Sequence, residues 1–212
     1  MTLLDIALAV LPSFILAATL IELTPGPNMA YLAQVALDRG RLAGLAVVAG
    51  VALGLAIVGA MAALGLGSVI EANEWVYQGL RWAGAGYLLW LAWDAWRSID
   101  ESERGLNSVS DGTRALFQRG LIANLLNPKA AVFYVAMLPQ FLKPDLGSLG
   151  WQLALLTAAY VLVATIIHTL VVLLADGARR NLIDEARMLA VRRVLALSLV
   201  CVAIWFLAGT AR

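Results

Sequence analysis

Apolar stretches long enough to cross a lipid bilayer divide this chain, and they constrain its fold before anything else does. A helix needs about 20 mostly apolar residues to span the hydrocarbon core. Six stretches reach that length: 4–24, 43–67, 75–96, 120–142, 149–175 and 189–209. Hydrocarbon offers the backbone no partners, so each stretch is expected to close its own hydrogen bonds as a helix. Charged residues make up 14% of the sequence, against about 25% in a soluble domain, which leaves no material for a sizeable soluble domain. The expected fold is an all-α polytopic membrane protein with six transmembrane helices, one integral membrane domain over 1–212.

The start of the chain has no basic segment and carries Asp5, so it does not read as a cleaved signal peptide. Arginines fix the expected orientation, because basic connections stay cytoplasmic. Arg39 and Arg41 fall in the connection 25–42. Arg97, Arg104, Arg114 and Arg119 fall in the polar linker 97–119. Arg179, Arg180, Arg187, Arg192 and Arg193 cluster around 176–193. The other side holds only Lys143 and Arg212, so both termini are expected outside. A net charge of +1 gives no reason to expect nucleic-acid binding. One cysteine and one histidine cannot build a zinc site, and neither a phosphate loop nor a nucleophile–base pair is present. No cofactor, metal or enzymatic activity is expected.

Two segments interrupt the apolar pattern. "ELTPGPNMAYLAQ" (22–34) places Pro25, Gly26 and Pro27 after the first apolar run; "NLLNPKAAVFYVAMLPQF" (124–141) places Pro128 inside the fourth. Proline removes a backbone donor and glycine relaxes the dihedrals. Superimposing Pro27 on Pro128 sets Asn28 against Lys129. Each half then reads as one broken helix followed by two continuous ones, about 1–96 and 120–212. Three spans per half make the halves face opposite ways, which is an inverted repeat. Irregular backbone at membrane depth is tolerated where it is buried or lines a wet cavity. The freed amides of one half-helix favour an anion and the freed carbonyls of the other a cation. Two facing breaks would bracket a small zwitterion. The plainer alternative is that the prolines only kink or end spans.

Charges inside the apolar stretches need a partner or a wet cavity, since insertion scales set the cost of each at about 2.5–3.5 kcal/mol. Glu22 precedes the first break and Lys129 follows the second. One reading has Asn28 and Lys129, with the freed amides, holding a substrate carboxylate while Glu22 meets the amino group; Pro25, Gly26, Pro27, Asn127 and Pro128 shape that site. The other reading is a structural Glu22–Lys129 or Glu22–Arg81 ion pair. Arg81 reads as paired or snorkelling. His168 in the fifth stretch is either a proton-coupling group or a hydrogen-bonded packing residue. Asp176 and Asp94 fall near span ends, where solvation is expected. The glycines of "GVALG" (50–54), with Gly40, Gly44 and Gly59, let the second span approach a neighbour closely, and the same surface is a candidate homodimer face.

"LTPGPNMAYLAQVALDRGRLAGLAVVAGVALG" (23–54), "RWAGAGYLLWLAWDAWR" (81–97) and "NLLNPKAAVFYVAMLPQF" (124–141) resemble the lysine exporter / homoserine–threonine exporter (LysE/RhtB) family over essentially the whole chain. The chain departs from the family pattern at Asp94 and in the sixth stretch, which lacks the usual early glycine. The resemblance implies a multi-pass inner-membrane exporter of amino acids or close derivatives, driven by the proton-motive force with protons as counter-ion. Paired breaks and inverted repeat agree with alternating access. A polytopic scaffold or partner protein without transport is the alternative; in it the polar groups beside both prolines would be ion-paired and no cavity would reach them.

Overall fold

A computed structural model describes residues 3–24, 26–64, 73–103, 112–143 and 148–181, with scattered positions between 190 and 204. All regular structure among these residues is helical. In chain order the helices are α1 (Leu3–Leu23), α2 (Pro27–Arg39), α3 (Arg41–Ala63), α4 (Glu74–Glu103), α5 (Thr113–Leu125), α6 (Pro128–Val132) and α7 (Leu149–Asn181). Past α6 the chain widens into a π turn over Phe133–Met137 and tightens into a 3-10 turn over Leu138–Phe141.

Among the described residues two helices are long and apolar enough to cross a membrane, Arg41–Ala63 and Leu149–Arg179, and the number rises to four if each bent pair counts as one span. Val10–Leu23 meets Pro27–Arg39 at 61°, and Thr113–Leu125 meets Lys129–Phe141 at 56°. Both breaks stand where the prolines predict them. Gly26 is extended (φ −154°, ψ 178°) and hands over to Pro27 in the first turn of α2. Asn127 is extended too, and Pro128 opens α6.

The segment 25–42 is not a simple connection, as the polar residues in it suggest; most of it is α2. Its Tyr31, Leu32, Gln34, Val35 and Ala36 are buried, because α2 packs against α3 and α7. The reversal falls to Gly40 alone, whose φ of +82° is a left-handed conformation that side chains rarely adopt. The linker 97–119 is helical at both described ends, in α4 to Glu103 and in α5 from Thr113. Most of the stretch 189–209 lies outside the described residues.

α3 occupies the centre, packed on α5 and α7, and α1 lies along α7. A Cβ on Gly50 would collide with the Phe117 carbonyl, and one on Gly120 with the Val47 carbonyl, so α3 and α5 touch backbone to backbone. Gly44 meets Val172 of α7, and Gly59 meets Thr157 and Tyr134. The glycine face of α3 is therefore filled from within the chain, which corrects its reading as a dimer face. Asp176 corrects another expectation. It is buried, and its carboxylate accepts from the Arg41 amide at 3.1 Å, completing the N-terminus of α3 where a negative charge is favoured.

Candidate functional site

The two breaks meet. Asn28, in the first turn of α2, donates from Nδ2 to Asn124 Oδ1 at 2.9 Å, just ahead of the second break. Lys129, at the start of α6, sends its ammonium across to the Thr24 carbonyl at 3.0 Å. Thr24 follows the last turn of α1, where carbonyls have no helical partner. Asn127 closes the opposite end: its Oδ1 accepts from the Lys129 amide at 3.0 Å, capping α6 as an asparagine does at a helix N-terminus.

Glu22 is the focus of the site. Its side chain is 6% exposed. Tyr160 donates to Oε1 at 2.6 Å. His168 Nε2 lies 3.3 Å and Lys129 Nζ 3.9 Å from Oε2. Three donors thus converge on one carboxylate from α6 and α7. Tyr160 and His168 are eight residues apart, close to two turns, so they project from one face of α7, with the buried Ala164 between them. Behind them stands an aromatic wall. Phe133 stacks on Tyr160 with ring centroids 3.9 Å apart, and Tyr134 meets Tyr160 edge-on at 5.3 Å. Phe133 and Tyr134 open the π turn, a helical defect that often marks functional sites.

These groups line one pocket: Glu22, Gly26, Pro27, Asn28, Asn127, Lys129 and His168 from the sequence reading, joined by Met29, Leu55, Asn124, Ala130 and Tyr160. Its cavity volume, about 10 Å³, suits about one water. Asn28 Oδ1, Asn124 Nδ2, Tyr134 Oη and His168 Nδ1 are buried and have no hydrogen-bond partner among the described residues. Each such group costs about 1–3 kcal/mol when left unmet, so the site is poised for further polar contacts.

Pro25 and the Arg81 side chain lie outside the described residues, and with them the Glu22–Arg81 pairing. Pro128 is present as the first residue of α6. The Glu22–Lys129 pairing exists as geometry, and it sits at the pocket wall. Asn124, Tyr160 and Tyr134 were missed. The eight-residue spacing of Tyr160 and His168 was the one available signal. Among the described residues no cluster of His, Cys, Asp and Glu is fit to hold a metal.

A helical membrane chain whose two broken helices put a buried carboxylate, an ammonium and amides around one pocket has the anatomy of a small-molecule translocator. The family comparison agrees: the model of the LysE type translocator matches residues 19–210, and the chain belongs to that family. It is a multi-pass membrane transporter and not an enzyme. The chain is similar to the homoserine/homoserine lactone efflux protein of Salmonella typhimurium, 32% identical over 68% of this chain and 69% of the relative. It is also similar to the leucine efflux protein of Enterobacter sp., 27% identical over 72% of each. An uncharacterized membrane protein of Vibrio cholerae is 30% identical over 62% of this chain and 64% of its own. No solved structure gives a significant match.

Proposed function

We propose that the protein exports amino acids or close derivatives across the inner membrane by alternating access, with protons as counter-ion. The observation that carries this reading is the meeting of the two breaks, which brings Glu22, Asn28, Asn124 and Lys129 to one pocket. Asn28 and Lys129, with the amides opening α6, receive the substrate carboxylate; Glu22 and the Thr24 carbonyl receive its ammonium. Pro25, Gly26, Pro27, Asn127 and Pro128 hold the two backbones open around it. The efflux named for two relatives supports the substrate class. His168 beside Glu22 supports a route for the coupled proton, since its side chain is 3% exposed and touches the same carboxylate.

The proposed architecture is six spans in two inverted repeats, 1–96 and 120–212, joined by a cytoplasmic linker over 97–119, with both termini outside. The matched bends at equivalent prolines support it. Transport into inverted vesicles, measured with a broad panel of labelled amino acids and an imposed proton gradient, tests the function. Gradient-dependent movement of one of them is expected, and none across the panel would overturn it. Orientation is tested after Cys201→Ser. A cysteine placed in 105–112 should label from the cytoplasm and one in 146–148 from outside; the reverse would overturn it.

The non-transporting scaffold keeps one observation in its favour, the contact between Lys129 and Glu22. It requires that removing both charges together, Glu22→Gln with Lys129→Ala, leave every cellular phenotype of the protein intact.

A further inference from the structure

Lys129 belongs to the second half of the chain but spends its charge on the first. Its ammonium has two partners, the Thr24 carbonyl at 3.0 Å and Glu22 Oε2 at 3.9 Å. A carboxylate and an unpaired carbonyl at a helix C-terminus are also the groups that suit a substrate ammonium. Both cations present three donors on a compact point charge. The Lys129 ammonium already stands between Glu22 and the Thr24 carbonyl, the position a substrate ammonium would take. The stem of Lys129 passes beside Gly26, where an added Cβ would lie at ordinary contact distance, 3.7 Å from Lys129 Cδ. The ammonium is also less enclosed than its partner, with the Lys129 side chain 24% exposed against 6% for Glu22.

We propose that Lys129 is a tethered occupant of the ammonium seat. A substrate ammonium displaces it from Glu22 and Thr24, and the freed Lys129 turns onto the substrate's carboxylate. The inference rests on the export reading and sharpens its substrate class. A zwitterion supplies both the displacing cation and a new partner for the displaced one. An amine without a carboxylate supplies only the first and leaves Lys129 unpaired at membrane depth. Lys129 thereby sets the preference for free amino acids over their amides, esters and lactones.

Binding to the purified full-length protein tests this with matched probes: L-leucine against L-leucinamide, and L-homoserine against L-homoserine lactone. Lys129→Gln should weaken binding of each acid by tenfold or more and tighten binding of its carboxylate-free partner several-fold. Equal weakening of both members, or no gain for the amide and lactone, would overturn the proposal. A measurement on the unaltered protein guards against a variant that fails to fold. Lys129 and Lys143 are the only lysines, so amine acylation read by mass spectrometry follows Lys129 with Lys143 as the internal reference. Leucinamide should raise the acylation rate of Lys129, and leucine should lower it. A rate that the two probes move in the same direction would overturn the proposal. If the unaltered protein binds neither member of either pair and transports no other amino acid, the export reading falls and takes this inference with it; binding without the opposed responses removes this inference alone.

Discussion

The two breaks are alike as backbone and opposite as chemistry. Both follow a helix, both set a proline in the first turn of the next one, and both bend the chain by close to 60°. The first break offers acceptors, the Glu22 carboxylate and the Thr24 carbonyl. The second offers a donor, the Lys129 ammonium, while the Lys129 amide that opens α6 is met by Asn127 Oδ1. Their closure differs as well. Gly26 begins α2 with no side-chain cap, while Asn127 caps α6 with its own amide oxygen. In the proline superposition Ala123 stands opposite Glu22, and Lys129 opposite Asn28. The two breaks share a bend and a proline and differ in their charges, an unlike pair of ends that the proposed zwitterion would complement.

The comparison breaks most visibly if the carboxylate and the ammonium are removed one at a time. Glu22→Ala orphans Tyr160 and His168, leaves Lys129 only the Thr24 carbonyl, and should destabilise the protein by about 3–5 kcal/mol. Lys129→Ala should cost no more than about 1 kcal/mol, since Glu22 keeps Tyr160 and His168. Both variants should stop export. Melting in detergent alongside vesicle transport checks the pair, and equal destabilisation would remove the asymmetry.

Tyr160→Phe sharpens the acceptor side. It deletes a 2.6 Å bond to the carboxylate, worth about 1.5–3 kcal/mol for a charged acceptor, and keeps the ring stacked on Phe133. A melting temperature unchanged from the native protein would show that Glu22 does not depend on this bond. On the donor side, Asn127→Ala removes the cap of α6 and should cost about 1 kcal/mol, with a matching fall in the chemical-denaturation midpoint. The smallest effect is expected at the first break. Gly26 has an ordinary extended φ, and an added Cβ would meet only ordinary contacts, so Gly26→Ala should stay within about 0.5 kcal/mol. A larger loss there than at Asn127 would invert the contrast between the caps.

The breaks were legible in the sequence because their cause is local. Pro27, Pro128, Gly26 and Asn127 dictate backbone geometry within a few residues of themselves. Glu22 and Lys129 were legible for a related reason, as charges in apolar runs stand out. His168 stood out as the only histidine of the chain, but Tyr160 beside it on α7 did not. Tyr160 reaches Glu22 across 138 residues of chain, and a lone tyrosine in an apolar helix looks like packing. Asn124 sits beside an obvious motif, yet its bond to Asn28 depends on how α2 and α5 come together. The reading of 25–42 as a connection failed because Asn28, Gln34 and Asp38 lower its apolar character; Asn28 and Gln34 instead point into the protein. Asp176 misled in the same way: its partner, the Arg41 amide, is 135 residues distant.

Gln152 makes a small structure with a larger consequence. Its side chain is buried and forms two antiparallel bonds with one residue, accepting from the Lys143 amide and donating to the Lys143 carbonyl, each at 2.9 Å. The chain is thus clasped on both sides of 144–147, much as one base holds another across a duplex. Loop-closure entropy grows only slowly with length, so a clasp of this kind makes the register of α7 independent of what lies between. New chain termini, or a whole inserted reporter domain, opened at 145 or 146 would leave the two partners still facing each other.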